Sequence, residues 1–172
     1  MKNHISIPQT YSLRERLILL LFDYSKNIYR LTIKRKQKAW PLTIEKLLQF
    51  PKGSLGKDLG LFLRVQGFEL EPKFEKHDIY HIITDYPTTV IGEICLGVFN
   101  VANGKRSIYT VGVALLGVLI MLEEYETFAQ AYQRGKNARS YANWKFEHLL
   151  NENTEELKKH IFKQKNDLET MI

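Results

Sequence analysis

The residues best equipped for chemistry lie close together. His77-Asp78-Ile79-Tyr80-His81 sets two imidazoles four positions apart, with a carboxylate beside the first. On a helix this spacing puts the rings about 40° apart around the axis and one turn apart along it, so both can reach one ion. Eleven residues separate His81 from Glu93, which lies inside Val90-Ile91-Gly92-Glu93-Ile94-Cys95-Leu96. A carboxylate in so apolar a setting is costly to bury unpaired, and a bound dication would remove that cost. His77, Asp78, His81 and Glu93 therefore form a candidate set of two nitrogen and two oxygen ligands for a divalent metal, converging from two helices as in carboxylate-histidine bundle sites. Histidine pairs at this spacing also occur on solvated helix faces. Economy favours a site: the chain has 5 histidines, and two of them flank an aspartate within one turn.

No thiolate belongs to this set, which leaves zinc, iron(II), manganese, cobalt and magnesium open, and the two imidazoles favour the transition metals. Such a set could keep positions free for water or substrate, as a catalytic centre needs and a closed structural site does not. Both kinds of centre remain open at this point.

Two helices must present these ligands. The first carries His77 to Ile83 and stops before Pro87; Thr88 or Thr89 caps the second, which carries Glu93, Leu96, Phe99 and Asn100 and ends at Asn103-Gly104. Together they make a short helical hairpin. Upstream, Leu13, Leu17, Leu20, Leu21, Tyr24, Ile28 and Leu31 recur at steps of three and four. They predict a helix over about residues 12–39 with that stripe buried, opened by a Ser12/Glu15 capping box and closed before Trp40-Pro41. Thr43 opens a short helix, and Pro51-Lys52-Gly53-Ser54 is a turn. Ser54 caps a helix that carries Leu55, Leu59, Phe62 and Leu63 and ends at Gly67. Ser107 opens a helix whose apolar run, Val111 to Leu122, falls short of the roughly 20 residues a membrane span needs. That run is expected to be the central core helix or to border an apolar cavity. Gly135 is expected to interrupt the polar stretch that follows, and Asn153 with Glu156 caps a last helix. No alternating β pattern appears. The expected fold is all-α: a single compact helical domain over residues 1–172, with a central apolar helix and a metal-binding helical hairpin.

Composition narrows the functions. Lys plus Arg number 25 against 19 acidic residues, a net charge of +6. The basic residues gather in Lys34-Arg35-Lys36-Gln37-Lys38 and between Arg134 and Lys145, as a solvated face or as a surface for an anionic membrane. Nucleic-acid binding has the charge but no motif and is not expected. Cys95, the single cysteine, leaves no internal disulfide and reads as a buried hydrophobe in a reducing compartment. Met1 to Gln9 is polar and lacks the features of a secretory signal, so a cytoplasmic location is expected.

His77-Asp78-x-x-His81, eleven residues, then Glu93 resembles the signature of the ubiquinone (coenzyme Q) biosynthesis Coq-four family, an HDxxH motif followed by Glu at that separation. Phe50-Pro51-Lys52-Gly53-Ser54-Leu55-Gly56 resembles the family's Pro-x-Gly-Ser/Thr-Leu/Phe-Gly turn, and Gly92-Glu93-Ile94 matches the surroundings of its glutamate. Tyr132-Gln133-Arg134-Gly135-Lys136 and Trp144-Lys145-Phe146-Glu147-His148-Leu149-Leu150 are similar to its closing segments, so the resemblance covers about residues 45–160. The chain departs from the family at Thr84-Asp85-Tyr86-Pro87, where a Thr-Gly-Tyr setting is usual. Asp85 there could alter metal preference or face water.

The resemblance implies an all-helical, membrane-associated protein of quinone-biosynthesis complexes that uses the motif for a divalent metal. It implies action on a polyprenylated benzoquinone precursor, by oxidative removal of the ring carboxylate with a hydroxyl placed at the same carbon. It further implies an organising role toward other enzymes of the pathway, and a homodimer. His77, His81 and Glu93 would ligate the metal, with Asp78 as fourth ligand or as an orienting group. Leu59, Phe62 and Leu63 with Val111 to Leu122 could line a channel for a prenyl tail or simply be core. Lys105 and Arg106 could meet a polar head or lipid phosphate, or be exposed connector residues. Two further readings are a non-catalytic prenyl-lipid-binding scaffold with a structural metal, and an HD-type phosphohydrolase. For the latter the only upstream histidine is His4.

Overall fold

Side-chain caps decide where most of the helices begin. The computed structural model describes residues 11–31, 40–70, 75–105 and 107–163, and every regular element among them is helical. Ahead of α1 (Leu13–Leu31) Ser12 and Glu15 form the expected capping box, the Ser12 N–H donating to Glu15 Oε2 at 2.8 Å and the Glu15 N–H to Ser12 Oγ at 3.3 Å. Thr43 caps α2 (Ile44–Leu47) and Ser54 caps α3 (Leu55–Gln66), which Gly67 ends at φ 68°. The hairpin consists of α4 (Glu75–Thr84) and α5 (Val90–Ala102), with Thr89 as the cap of α5. Ser107 opens α6 (Ile108–Ile120), a 3-10 turn at Leu122–Glu124 leads into α7 (Tyr125–Asn137), and Asn153 caps α8 (Thr154–Phe162).

The central apolar helix is α5, which lies between two hydrophobic clusters. Leu96 and Phe99 join Leu55, Leu59, Leu63, Ile79, Ile83, Tyr141 and Phe146 in the larger one, each at most 1% exposed. Val90, Ile94 and Cys95 meet Ile18, Met121, Phe128 and Ala131 in the second. Each fully buried large side chain contributes about 1.5–3 kcal/mol. Glu93, carried on the same helix, is thereby fixed from both sides. Gly135 tightens the arrangement: a Cβ there would stand 2.5 Å from the carbonyl oxygen of Phe99, so α7 lies directly on α5. Gly135 is thus a contact point within α7, and does not interrupt it as its position in a polar stretch predicts.

Two apolar faces lie elsewhere than expected. On α1 three leucines of the expected stripe point outward, Leu13, Leu17 and Leu20 at 84%, 49% and 59% exposure, while Ile18 beside them is buried. The run from Val111 to Leu122 is not the central core helix. It forms the outer helix α6 and the residue pair after it, touching the core through Ala114, Gly117 and Met121 while Leu115, Leu116, Leu119 and Leu122 are exposed. Ala114 and Gly117 are small enough to let the helix approach α5 closely, Met121 follows at its end, and the larger leucines remain outside. No single helix among the described residues is long and apolar enough to cross a membrane. The expected end of the first helix near residue 39, the basic cluster from Lys34 to Lys38, Arg106 and His4 lie outside the described residues.

Candidate metal centre

The hairpin brings three ligand groups to one point. His77 and His81 stand one turn apart on α4, with their Nε2 atoms 3.2 Å apart. From the first turn of α5, Glu93 places Oε2 at 3.1 Å from His77 Nε2 and Oε1 at 3.1 Å from His81 Nε2. Donors about 2.0–2.1 Å from one ion stand roughly 3.3 Å apart in a tetrahedral set and roughly 3.0 Å apart in an octahedral one. The three groups fit a small dication with nitrogen and oxygen ligands, without choosing among zinc, iron, manganese, cobalt and magnesium.

Exposure gives the centre an inner and an outer side. The His81 side chain is 1% exposed, Glu93 21% and His77 38%. Burial alone would push the Glu93 carboxyl up, but the imidazoles of His77 and His81 outweigh it and hold the carboxyl well below its ordinary range. For His81, burial opposes the charged form, yet the hydrogen bond and charge of Glu93, aided by the Tyr86 carbonyl and the Asp78 charge, raise its pKa above the ordinary value.

His81 is oriented from behind. Its Nδ1 lies 2.9 Å from the Tyr86 carbonyl oxygen. A carbonyl only accepts, so Nδ1 carries the proton and Nε2 is turned toward Glu93 and His77, the orientation that metal-binding imidazoles take from such partners. Phe62 stacks on the same ring, with centroids 5.9 Å apart and planes 16° from parallel. The turn that supplies the carbonyl contains Asp85 at φ 59°, the left-handed region that favours glycine. Here Lys158 of α8 holds the Asp85 carboxylate at 2.6 Å.

The structure therefore brings His77, His81 and Glu93 together. Asp78 is outside that group; it is half-buried on α4, and its charge acts on His81. Asp85 is 64% exposed and paired with Lys158, so it faces solvent and not the centre. Lys105 places its Nζ 4.3 Å from the Tyr80 ring centroid. Leu59 and Leu63 are core, whereas Phe62 belongs to the surroundings of His81. Burial pushes the Cys95 thiol up to about 11, with the Glu124 charge adding, so it stays protonated at neutral pH. Sequence reasoning missed Arg134, which reaches from α7 to donate to the Thr84 carbonyl at 2.6 Å. Its only signal is its place in the closing segment Tyr132 to Lys136.

The profile of the family described as coenzyme Q (ubiquinone) biosynthesis protein Coq4 matches residues 70–166, which include His77, His81, Glu93 and Arg134. The crystal structure of a candidate ubiquinone biosynthesis protein from Nostoc punctiforme is similar, with a TM-score of 0.58 and 18% identity over 87% of this chain and 81% of that one. At that identity the likeness concerns the fold. No curated protein matches the chain.

Proposed function

The chain belongs to the coenzyme Q (ubiquinone) biosynthesis protein Coq4 family, and on that premise we propose that it serves ubiquinone biosynthesis as a divalent-metal protein centred on His77, His81 and Glu93. The observation that carries this reading is the convergence of two imidazole nitrogens and a carboxylate within 4.8 Å. His77, His81 and Glu93 hold the ion, and Asp78 serves as a fourth ligand or orients His81. The substrate is a polyprenylated benzoquinone precursor, approaching from the exposed His77 side with Phe62 as an apolar wall. Its ring carboxylate leaves as carbon dioxide, water supplies the hydroxyl that takes the same carbon, and the two electrons and the proton released go to dioxygen. A bound dication would supply Lewis acidity toward the carboxylate and phenolate of such a ring.

A peripheral place on an anionic membrane is supported by the outward leucines of α1 and α6, two helices that pack together, and by the net charge of +6. The same apolar face favours a second reading, a prenyl-lipid-binding scaffold that organises other quinone-biosynthesis enzymes around a structural metal. Removal of the metal separates the two. A centre that empties without unfolding supports catalysis, and one whose emptying unfolds the chain supports structure.

Elemental analysis of the purified protein and of His77→Ala and His81→Ala variants, with mass spectrometry of co-extracted lipids, tests the proposal. The expected result is a transition metal in the wild type, its loss from both variants and a retained prenyl lipid. Equal metal content in all three would sink the site assignment, and absence of any prenyl lipid would count against the substrate class.

A further inference from the structure

Arg134 is remote from the ligands in sequence but joined to them by a short chain of contacts. Its Nη1 donates to the Thr84 carbonyl at 2.6 Å, one of the carbonyls in the last turn of α4 that has no helical partner. Its guanidinium lies 5.0 Å from the Tyr86 ring centroid and 4.5 Å from that of Phe162. Thr84 and Tyr86 bracket Asp85 at φ 59°, a conformation that a non-glycine residue keeps only where its surroundings impose it. The Tyr86 carbonyl in turn lies 2.9 Å from His81 Nδ1. A planar guanidinium suits this place because it donates in its plane while its faces rest on aromatic rings, which an ammonium cannot reproduce.

We propose that Arg134 is a positioning residue of the metal centre, acting through the Thr84-Asp85-Tyr86 turn to hold His81 with Nδ1 protonated and Nε2 free for the ion. Without Arg134 the strained turn relaxes, the Tyr86 carbonyl moves away, and the imidazole can change tautomer or rotate. The inference rests on the metal reading given above.

The test uses the full chain with Arg134→Lys and Arg134→Ala, and with Lys136→Ala, on the exposed side of α7, as a control. Cobalt(II) titration gives the Kd and the visible spectrum of the bound ion, nitrogen NMR of the metal-free protein gives the His81 tautomer, and thermal melts report folding. The Kd is expected to rise about 10–100-fold in Arg134→Ala and less in Arg134→Lys, as for the loss of other groups that orient metal-bound histidines. The cobalt spectrum should change, the Nδ1–H signal of His81 should weaken, and Lys136→Ala should bind as the wild type does. A folded Arg134→Lys variant with wild-type Kd, spectrum and tautomer overturns the inference alone. A wild-type protein that does not bind cobalt overturns the metal reading, and the inference with it.

Discussion

A Cβ atom on Gly92 would lie 2.1 Å from the carbonyl oxygen of Pro87, so the turn after α4 closes directly onto the first turn of α5. The obstacle is backbone, which cannot swing aside as a side chain does, and the next residue is Glu93 of the candidate centre. Gly92→Ala is expected to lose about 1–3 kcal/mol of stability through overpacking. It should also weaken metal binding. Denaturant unfolding and metal titration check both effects, and a variant unchanged in either would show that this contact does not fix Glu93.

Asp85 holds a left-handed backbone at φ 59° with its carboxylate on Lys158. Glycine adopts that conformation freely, and the exposed ion pair is worth about 0–1 kcal/mol, so Asp85→Gly is expected to stay within about 1 kcal/mol of the wild type. Asp85→Val also loses the ion pair but must force a β-branched residue to positive φ, a strain of about 1–3 kcal/mol. Urea melts of the two variants therefore isolate the backbone. Equal stability would mean that the turn is not constrained.

The metal-free centre carries a pH signature. Against burial, which opposes its charge, Glu93 is held below its ordinary 4.5 by the imidazoles; its contribution to stability is present above 4.5 and is lost as pH falls through the lower folded value. Burial also opposes the charge of His81, which Glu93 nevertheless raises above its ordinary 6.5; this contribution is full below 6.5 and is lost as pH rises through the folded value. Both are present from about 4.5 to 6.5, so the pair's contribution to metal-free stability should decline on the alkaline side. Metal binding needs His81 without its second proton, so metal affinity should rise over the range in which that contribution falls. Melts in chelator and in zinc, run from about pH 5 to 8, should diverge as pH increases. Comparison with a Glu93→Gln variant isolates the pair, and an identical pH dependence in that variant would contradict the assignment.

The leucines of α6 give a prediction independent of the metal. Leu115 and Leu119 are 58% and 56% exposed, so Leu115→Gln with Leu119→Gln should change stability by no more than about 0.5 kcal/mol per site. Binding to vesicles containing anionic lipid should fall, while metal content stays as in the wild type. Undiminished vesicle binding would move the membrane contact away from this face.

What could be read from the sequence was local. Ser54, Thr89, Ser107 and Asn153 cap helices because each cap acts across only three residues, and the His77/His81 spacing is likewise a property of one helix. Glu93 stood out because an acid interrupts an apolar segment. Orientation was less legible: α6 has no charged residue to mark which side meets the core, and on α1 the buried Ile18 lies beside the leucine stripe and not within it. Gly135 looked like an interruption because the carbonyl it accommodates belongs to Phe99, far away in the chain. Arg134 among other surface cations carries no local mark of its reach to Thr84.

His77, His81 and Glu93 lie within seventeen residues, whereas Arg134 and Lys158 stand 41 and 65 positions beyond Glu93. Loops this short close at little entropic cost, and such local contacts form early in folding. During synthesis at about 5–20 residues per second, the donor set is complete some seconds before the helices that steady its turn have been made. Under the proposed function, an ion captured at that stage would be held by those three groups alone and would exchange readily. Retention would then wait for α7 and α8 to dock, which would tie secure possession of the metal to the folding of the later helices.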